Sequence, residues 1–592
     1  MRQSSVFKHR GNFAFLNSYV GYTKIPEECT SLAITLRSFL QKARRLVRNQ
    51  INLKRYLATI LLLSSLLIIL AACGGGGTTT PTTNGTPTLA SNQVLVFPNV
   101  GTQDIGVLDP AQGPDANSAI AVAMIYSGLV KFDKDLNVVP SQATYTISPD
   151  DKVYTFKLKP GIAFSDGTPV TAQAYVYTLT RALLPEVKSG IATLFLGPIL
   201  GSDDVNSGKT KILQGVKAVD DSTLQITLKQ PAAYFLQVLA NSISFPLNQK
   251  IIKQYGQTDW VNHAAANGIG TGPLMVKEWD HNVKMVLVPN PHWYGAMTKL
   301  AEVDMLFVND LSTAFKSYQA GQYAFVWNIT PQDLQSAKGM AGFTSKSLLQ
   351  TDLLFFNNKM APFDKSAVRQ AFAYAIDKVT LTNTIFKGSA VPAPTIIPPG
   401  MPGYQPNYQG LPYDKSKALA ALQSVYPDVS KVPPITFSFP NSQVSPNEAS
   451  ALQQMWQSAL GIQVKLLPVE LNAYNTETSN RQIQFGFGQW TADFPDPYDW
   501  LALNLLSTSG GNAGSWNNPQ FDQLVMQAEQ STGDARIKLY NQAEQIAITD
   551  GGWLPLDHQE MAAVIPPWVH GVSLNNTGLY FGDWSEVYLL QH

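Results

Sequence analysis

The stretch YTFKLKPGIAFSDGTPVTAQAYVYTLTRALLP, Tyr154 to Pro185, changes periodicity once along its length. Tyr154, Phe156 and Leu158 fall to one side, and Thr155, Lys157 and Lys159 to the other. That alternation predicts a half-buried strand. Asp166-Gly167 is a turn signal. After the turn, TAQAYVYTLTRAL predicts a helix. Strand, turn and helix therefore follow each other closely, and the same mixture continues outward in both directions.

STLQITLKQP (Ser222–Pro231) is a second alternating strand, with Leu224, Ile226 and Leu228 in phase. VKMVLVPNP (Val283–Pro291) is a third. In PFDKSAVRQAFAYAIDKVTL, the apolar residues Val368, Ala371, Phe372, Ala375, Ile376 and Val379 share one helical face. Asp364 or Ser366 is the expected cap of that helix. NPQFDQLVMQAEQ and DARIKLYNQAEQIA, between Asn518 and Ala547, predict two more amphipathic helices. Interleaved strands and helices place the chain in the α/β or α+β class. Its 592 residues suffice for two to four domains. Residues 93–592 contain no repeat and no linker, so the domains are expected to be entered more than once.

The composition is globular: 45% hydrophobic, 10% aromatic and 14% charged. Basic and acidic residues both number 42, which leaves no basic footprint for nucleic acid. The two cysteines, Cys29 and Cys73, precede the globular part and exclude from it a disulfide framework, a cysteine nucleophile or a cysteine zinc site. The seven histidines are scattered without metal-ligand spacing, so no metal or cofactor is expected.

The N-terminal region has a different character. Six basic residues lie between Lys42 and Arg55, followed by the uncharged run YLATILLLSSLLIILAA, Tyr56 to Ala72. A basic flank, a short apolar core and small residues at its exit predict a signal peptide within residues 1–72. The exit, LAAC (Leu70–Cys73), resembles the bacterial lipobox, which implies a diacylglycerol thioether on Cys73. Residues 73–92, rich in Gly, Thr and Pro, are expected to form a flexible tether with a reach of roughly 25 Å. No methionine lies between Met1 and Met124, and translation is expected to start at a non-Met codon near Leu46 or Val47.

Near the other end, QWTADFPDPYDW (Gln489–Trp500) sets Asp493, Asp496 and Asp499 among four aromatic residues and two prolines. Charge is normally kept from so much apolar surface. Prolines 495 and 497 forbid a helix that would stack the three acids. Asp496 fits a turn, and Asp499 fits a cap of a helix beginning near Trp500. Asp493 could serve a buried N–H, a lysine or an external cation. Trp490 fits core and pocket wall equally, and Arg481 fits exposed surface. The chain carries no GxSxG, HExxH, SxxK or GxxxxGK[ST] sequence, and no pair of carboxylates is marked as catalytic.

The order of these motifs resembles the family 5 extracellular solute-binding proteins, receptors of ABC importers for oligopeptides, dipeptides and nickel. The resemblance runs through LDPA (Leu108–Ala111), IYSGLVKFDKDLNVVPSQA, the Tyr154–Pro185 stretch, GTGPLMVKEWD (Gly270–Asp280), PNPHWYG, FFNNKMAPFDKSAVRQAFAYAIDK and QWTADFPDPYDW. Family members often have Tyr-Trp where this chain has Trp293-Tyr294, and Gly-Glu-x-Asp where it has Gly321 to Ala324.

The resemblance implies a type II, cluster C periplasmic-binding-protein fold, with two hinged lobes and an inserted domain. The expected first lobe takes residues near 93–127, 250–350 and 560–592. The inserted domain takes about 128–249, and the second lobe about 351–559. It implies that Asp493, the acid of W-x-x-D, pairs with a peptide α-ammonium. Gly488, Gln489, Trp490 and Thr491 would run extended along the peptide, with Trp490 walling a side-chain pocket. Ala116, Asn117 and Ser118 would supply backbone from across the cleft. The expected protein is a monomeric, membrane-anchored, extracytoplasmic receptor, not an enzyme. It would hand peptides to an ABC permease and its ATPase. Nickel chelate, haem or oligosaccharide are alternative ligands of the same receptor type. A secreted hydrolase or a signalling lipoprotein is an alternative from another class.

Overall fold

The computed structural model describes residues 88–442, 445–580 and 583–592. The expected signal peptide, Cys73 and most of the tether lie outside the described residues. Residues 88–92, expected in the tether, are instead tied to the C-terminal segment. Ala90 N–H donates to the Leu589 carbonyl and Gln591 N–H to the Thr88 carbonyl, both at 2.9 Å. Within the described residues no helix is long and apolar enough to cross a membrane.

Three hydrophobic cores organise the fold. The first surrounds a four-stranded sheet ordered Val94–Val100, Glu302–Val308, Lys284–Pro289, Leu274–Asp280. Its first two strands are parallel and the other pairings antiparallel. Leu95, Phe97, Trp260, Met305, Phe325, Val564 and Trp584 meet in this core, so it gathers residues from widely separated parts of the chain.

The second core belongs to an antiparallel sheet ordered Ala143–Ile147, Val153–Leu158, Thr223–Thr227, Val216–Asp220. The alternation read from sequence appears here: Tyr154, Phe156, Leu158, Leu224, Ile226 and Leu228 are all buried. The Ala172–Leu183 helix follows the Asp166-Gly167 turn and packs in the same core through Ala172, Tyr175 and Leu179. Its Arg181 pairs with Asp109 through two contacts, 3.2 and 2.7 Å, and is 1% exposed.

The third and largest core lies on a mixed sheet ordered Val326–Trp327, Trp553–Val564, Phe343–Phe356, Phe485–Thr491, Ile435–Pro440, Val464–Val469, with Ala390–Pro392 paired beside Trp553–Val564. One face packs an aromatic cluster of Phe356, Phe363, Phe372, Phe437, Trp456 and Phe485. The helices expected between Asn518 and Ala547 run over Pro519–Glu529 and Gly533–Asp550.

The helix expected through Val379 breaks in two, Ser366–Tyr374 and Lys378–Ile385. Asp377 stops the continuation because its side chain accepts the N–H of Thr380 and starts the second helix. Val368, Ala371, Phe372, Ala375 and Ile376 are buried as expected, but Val379 is 58% exposed. The cap position of the first helix is Lys365, without a side-chain cap, in place of Asp364 or Ser366.

Two long antiparallel strands, Phe343–Phe356 and Trp553–Val564, connect the first and third cores. Ala562, Ala563 and Val564 lie in the first, and Trp553, Leu554 and Leu556 in the third. Their register shifts between Ser347 and Thr351 and again between Asp352 and Leu353. Such irregularities interrupt the ladder and bend the strands locally. This is the two-lobed, hinged, mixed α/β architecture with an inserted domain.

Candidate functional site

The strand Phe485–Thr491 pairs antiparallel with Phe343–Phe356 along its whole length, Gln350 opposite Thr491 and Phe356 opposite Phe485. Ala492 N–H continues that ladder to the Leu349 carbonyl at 2.8 Å. Hydrogen bonding to one neighbour alternates along an antiparallel strand. Gly488 and Trp490 therefore direct their backbone groups to the same neighbour as Ala492. Phe487, Gln489 and Thr491 direct theirs to the other side. Tyr474 Oη confirms this by donating to the Phe487 carbonyl from that side, at 2.6 Å.

On that side the Ile435–Pro440 strand covers only the beginning, pairing Phe437 with Phe485 and Ser438 with Gly486. No strand covers Gln489 or Thr491 there, among the described residues. Their N–H and C=O groups form an open edge.

The side chains at this edge alternate faces. Gln489 Nε2 donates to Asp352 Oδ1 at 3.2 Å, and Thr491 Oγ1 to Gln350 Oε1 at 3.2 Å. Trp490 points to the opposite face, partly buried against the third core, with Nε1 donating to Asp499 Oδ2 at 3.2 Å. Gly488 sits where a Cβ would come within 2.6 Å of Leu353 Cδ1, so a side chain there would displace that leucine.

The three aspartates beyond the strand have separate roles. Asp496 accepts Tyr498 N–H at 2.9 Å, as expected of a turn, and also binds Arg536 through two contacts of 2.8 Å. Asp499 does not cap a helix. It lies inside a π-helical turn, Tyr498–Ala502, fully buried, and its Oδ2 accepts Asp493 N–H at 3.0 Å as well as Trp490 Nε1. The turn begins at Tyr498, two residues before the expected start, which places Asp499 inside it. Burial, and then the charge of Asp493, push the Asp499 carboxyl well above its usual range.

Asp493 is partly buried, and no donor or cation meets its carboxylate among the described residues. Burial pushes it up to about 6. Its carbonyl accepts Asn241 Nδ2 at 3.4 Å. The next residue, Phe494, is 1% exposed in the second core, stacked at 5.5 Å on Tyr234, which also stacks at 4.0 Å on Tyr498. Asp493 thus stands where the open-edged strand meets the inserted domain.

Ala116, Asn117 and Ser118, expected to supply backbone from across the cleft, form the first turn of the helix Ala116–Ile125. Asp115 Oδ1 takes the N–H groups of Asn117 and Ser118, each at 3.0 Å, and Ser118 Oγ takes those of Gly106 and Val107, each at 3.1 Å. The amides of Asn117 and Ser118 are thus held by the Asp115 cap. The structure joins Gln489, Trp490, Thr491 and Asp493, and no hydrogen bond links them to 116–118 among the described residues.

Sequence reasoning missed Asp352, Glu448 and Asp557, which lie near Gln489. A signal existed: Asp352 interrupts the apolar run of LLQTDLLFF, and Asp557 interrupts WLPLDHQ. No three acidic, histidine or cysteine side chains are grouped to hold a metal among the described residues.

The family profile described as "Bacterial extracellular solute-binding proteins, family 5 Middle" matches residues 137–512. The chain is 31% identical over 484 residues to the periplasmic murein peptide-binding protein MppA of Escherichia coli, covering 79% of this chain and 88% of that one. It is 28% identical over 490 residues to the oligopeptide-binding protein OppA of Bacillus subtilis, covering 80% and 89%. The solved structure of Escherichia coli MppA superposes with a TM-score of 0.73 at 27% identity, covering 85% of this chain and all of that one.

Proposed function

This chain belongs to the bacterial extracellular solute-binding proteins of family 5, and from that premise we propose that it is the peptide receptor of an ABC importer. A protein of this family binds a solute for transport and is not an enzyme. The observation that carries the peptide reading is the unpaired carboxylate of Asp493 at the end of an open strand edge. A peptide's α-ammonium pairs with Asp493, and its main chain adds to the edge through Gln489 and Thr491. Those bonds are indifferent to side chains, which suits a receptor of broad taste.

The same pairing drives closure. A lone carboxylate is costly to dehydrate. With the lobes open it remains wet. A cation that enters before closure compensates it in the closed cleft, so the ligand favours the closed state. Trp490 lines the opposite face. The first lobe takes residues near 93–127, 250–350 and 560–592, the inserted domain about 128–249, and the second lobe about 351–559. A lipid on Cys73 holds the monomer at the outer side of the membrane, where it hands cargo to a permease and its ATPase.

A thermal-shift screen of the chain with di- to octapeptides, each beside its N-acetylated form, tests this. A ligand at a hundred times its Kd adds about 2.7 kcal/mol of stability. The expected result is a shift that acetylation abolishes. No shift with any peptide, after refolding to remove carried ligand, would overturn the reading.

A further inference from the structure

Beside the open edge lies a row of acids that anchoring an ammonium does not require. Asp352 stands opposite Gln489 in register on one side and opposite Asp557 on the other. Directly paired residues share a face of the sheet, so Gln489, Asp352 and Asp557 form one row. Amides bridge it: Gln350 Nε2 donates to Asp352 Oδ1 at 3.1 Å, and Gln559 Nε2 to Asp352 Oδ2 at 3.0 Å and Asp557 Oδ1 at 2.6 Å.

Glu448 joins the row from the first turn of the helix Ser445–Leu460. It is 6% exposed, and its buried Oε1 has no hydrogen-bond partner. Asp557 is fully buried, and its Oδ2 likewise has none. Burial holds the Glu448 carboxyl well above its usual range, and the Asp352 charge adds to this. Asp557 is raised in turn by burial, Asp352 and Glu448. The resident cation beside them, Lys378, donates to the Ala393 carbonyl at 2.8 Å, and burial pulls it down to about 7. Of the three carboxyls, Asp557 is the one that feels this ammonium.

These groups are not arranged to hold a metal. They are placed to receive an organic cation. The helix carrying Glu448 follows the Ile435–Pro440 strand, which leaves the edge of Phe485–Thr491 after Gly486. The acid row thus borders the stretch of edge that a ligand would occupy.

We propose that Asp352 and Glu448, supported by Asp557, form a subsite for a lysine or arginine side chain of the bound peptide, carried by the residue opposite Gln489. This rests on the peptide reading above. A ligand residue opposite Gln489 puts its side chain on the same face as Gln489. Strands lie about 4.8 Å apart, so Asp352 is two spacings, about 10 Å, from the ligand backbone. An extended lysine or arginine reaching toward the aspartate side chain spans that gap; short side chains do not. With the ammonium at Asp493 and the peptide antiparallel to the strand, the first residue faces Thr491, the second Trp490 and the third Gln489.

Calorimetric titration of the full chain with four tetrapeptides tests the subsite: Ala-Ala-Ala-Ala, Ala-Ala-Lys-Ala, Ala-Lys-Ala-Ala, and the third-position norleucine analogue. The expected result is at least tenfold tighter binding of third-position lysine than of norleucine, with no comparable gain at the second position. Glu448→Gln and Asp352→Asn should each bring the lysine-to-norleucine ratio close to one. Both substitutions keep the size of the side chain and remove a carboxyl whose ionisation burial opposes, and the wild-type comparison needs neither. Equal binding of lysine and norleucine, a gain at the second position instead, or a ratio unchanged in both variants would overturn the subsite while the peptide reading stands. Failure of all four peptides to bind would overturn the subsite, and the peptide reading falls with it if the di- to octapeptide screen is also blank.

Discussion

The backbone N–H of Asp493 donates to the carboxylate of Asp499 at 3.0 Å, and the same Asp499 oxygen accepts Trp490 Nε1 at 3.2 Å. One buried acid thus fixes the backbone at Asp493 and the ring at Trp490. The Asp493 carboxylate is left without a partner of its own. An unpaired acid in a partly buried place is unfavourable in the empty protein, and it is the feature a cationic ligand would relieve.

Replacement Asp493→Asn should therefore have opposite effects on the empty and loaded protein. Burial holds this carboxyl at about 6 against a usual 3.8. Each unit is worth about 1.4 kcal/mol. Discounted for partial exposure, the ligand-free variant should be about 1–2 kcal/mol more stable at pH 7.5. Peptide affinity should fall by about 2–3 kcal/mol, near a hundredfold, as expected when one partner of a desolvated charge pair is removed. Thermal melts and calorimetry of the variant measure both.

The pH dependence follows from the same raised value. Below about pH 3.8, Asp493 keeps its proton in the folded chain and largely in the unfolded one, so it costs the fold little. Between about 4 and 6 the folded protein holds a proton that the unfolded chain releases. Above 6 the buried charge opposes folding in full. The stability gap between Asp493→Asn and wild type should be widest above pH 6 and close toward pH 4. Peptide binding needs the ionised acid and should run the other way, weakening up to tenfold per unit below pH 6. Paired melts and titrations from pH 4 to 8 check both trends.

Strand addition at Gln489 and Thr491 predicts a cost for removing one amide hydrogen from the ligand. A peptide N-methylated at the residue whose N–H meets this edge should bind about fivefold more weakly, the worth of one net hydrogen bond near 1 kcal/mol. Methylation one residue along, where the N–H points away, should cost much less. A methylation scan read by competition against the parent peptide distinguishes the two positions.

Arg536 and Asp496 make a buried pair with two 2.8 Å contacts and side chains 5% and 8% exposed. Arg536→Met leaves Asp496 and the partly buried Glu529 without their cation. The cost should be about 3–5 kcal/mol, seen as a lower denaturant midpoint. Asp496 also holds the turn that follows Asp493, so ligand affinity should fall with it.

Much of the fold was legible in order along the chain. The strands at Tyr154–Leu158 and Leu224–Leu228 carry strict alternation, and the helix Pro519–Glu529 buries Phe521, Val525 and Ala528 along one stripe, because one face of each meets a core. The break at Asp377 was not legible: the apolar face continues past it to Val379, and only the competing cap at Thr380 ends the first helix. The helical turn at Ala116–Ser118 was not legible either: it is fixed by the Asp115 side chain, which accepts the Asn117 and Ser118 amides.

The sequence by itself determined the mixed α/β class and the motif order of the family, since periodicity and motif spacing are local properties of the chain. Only the tertiary structure decided which of the three aspartates lacks a partner. It also decided which edge of Phe485–Thr491 stays open, and that Asp352, Glu448 and Asp557 meet. Those facts depend on strands and a helix brought together from positions 343–356, 445–460 and 553–564, and a carboxylate's burial and partners are set by neighbours that are distant along the chain.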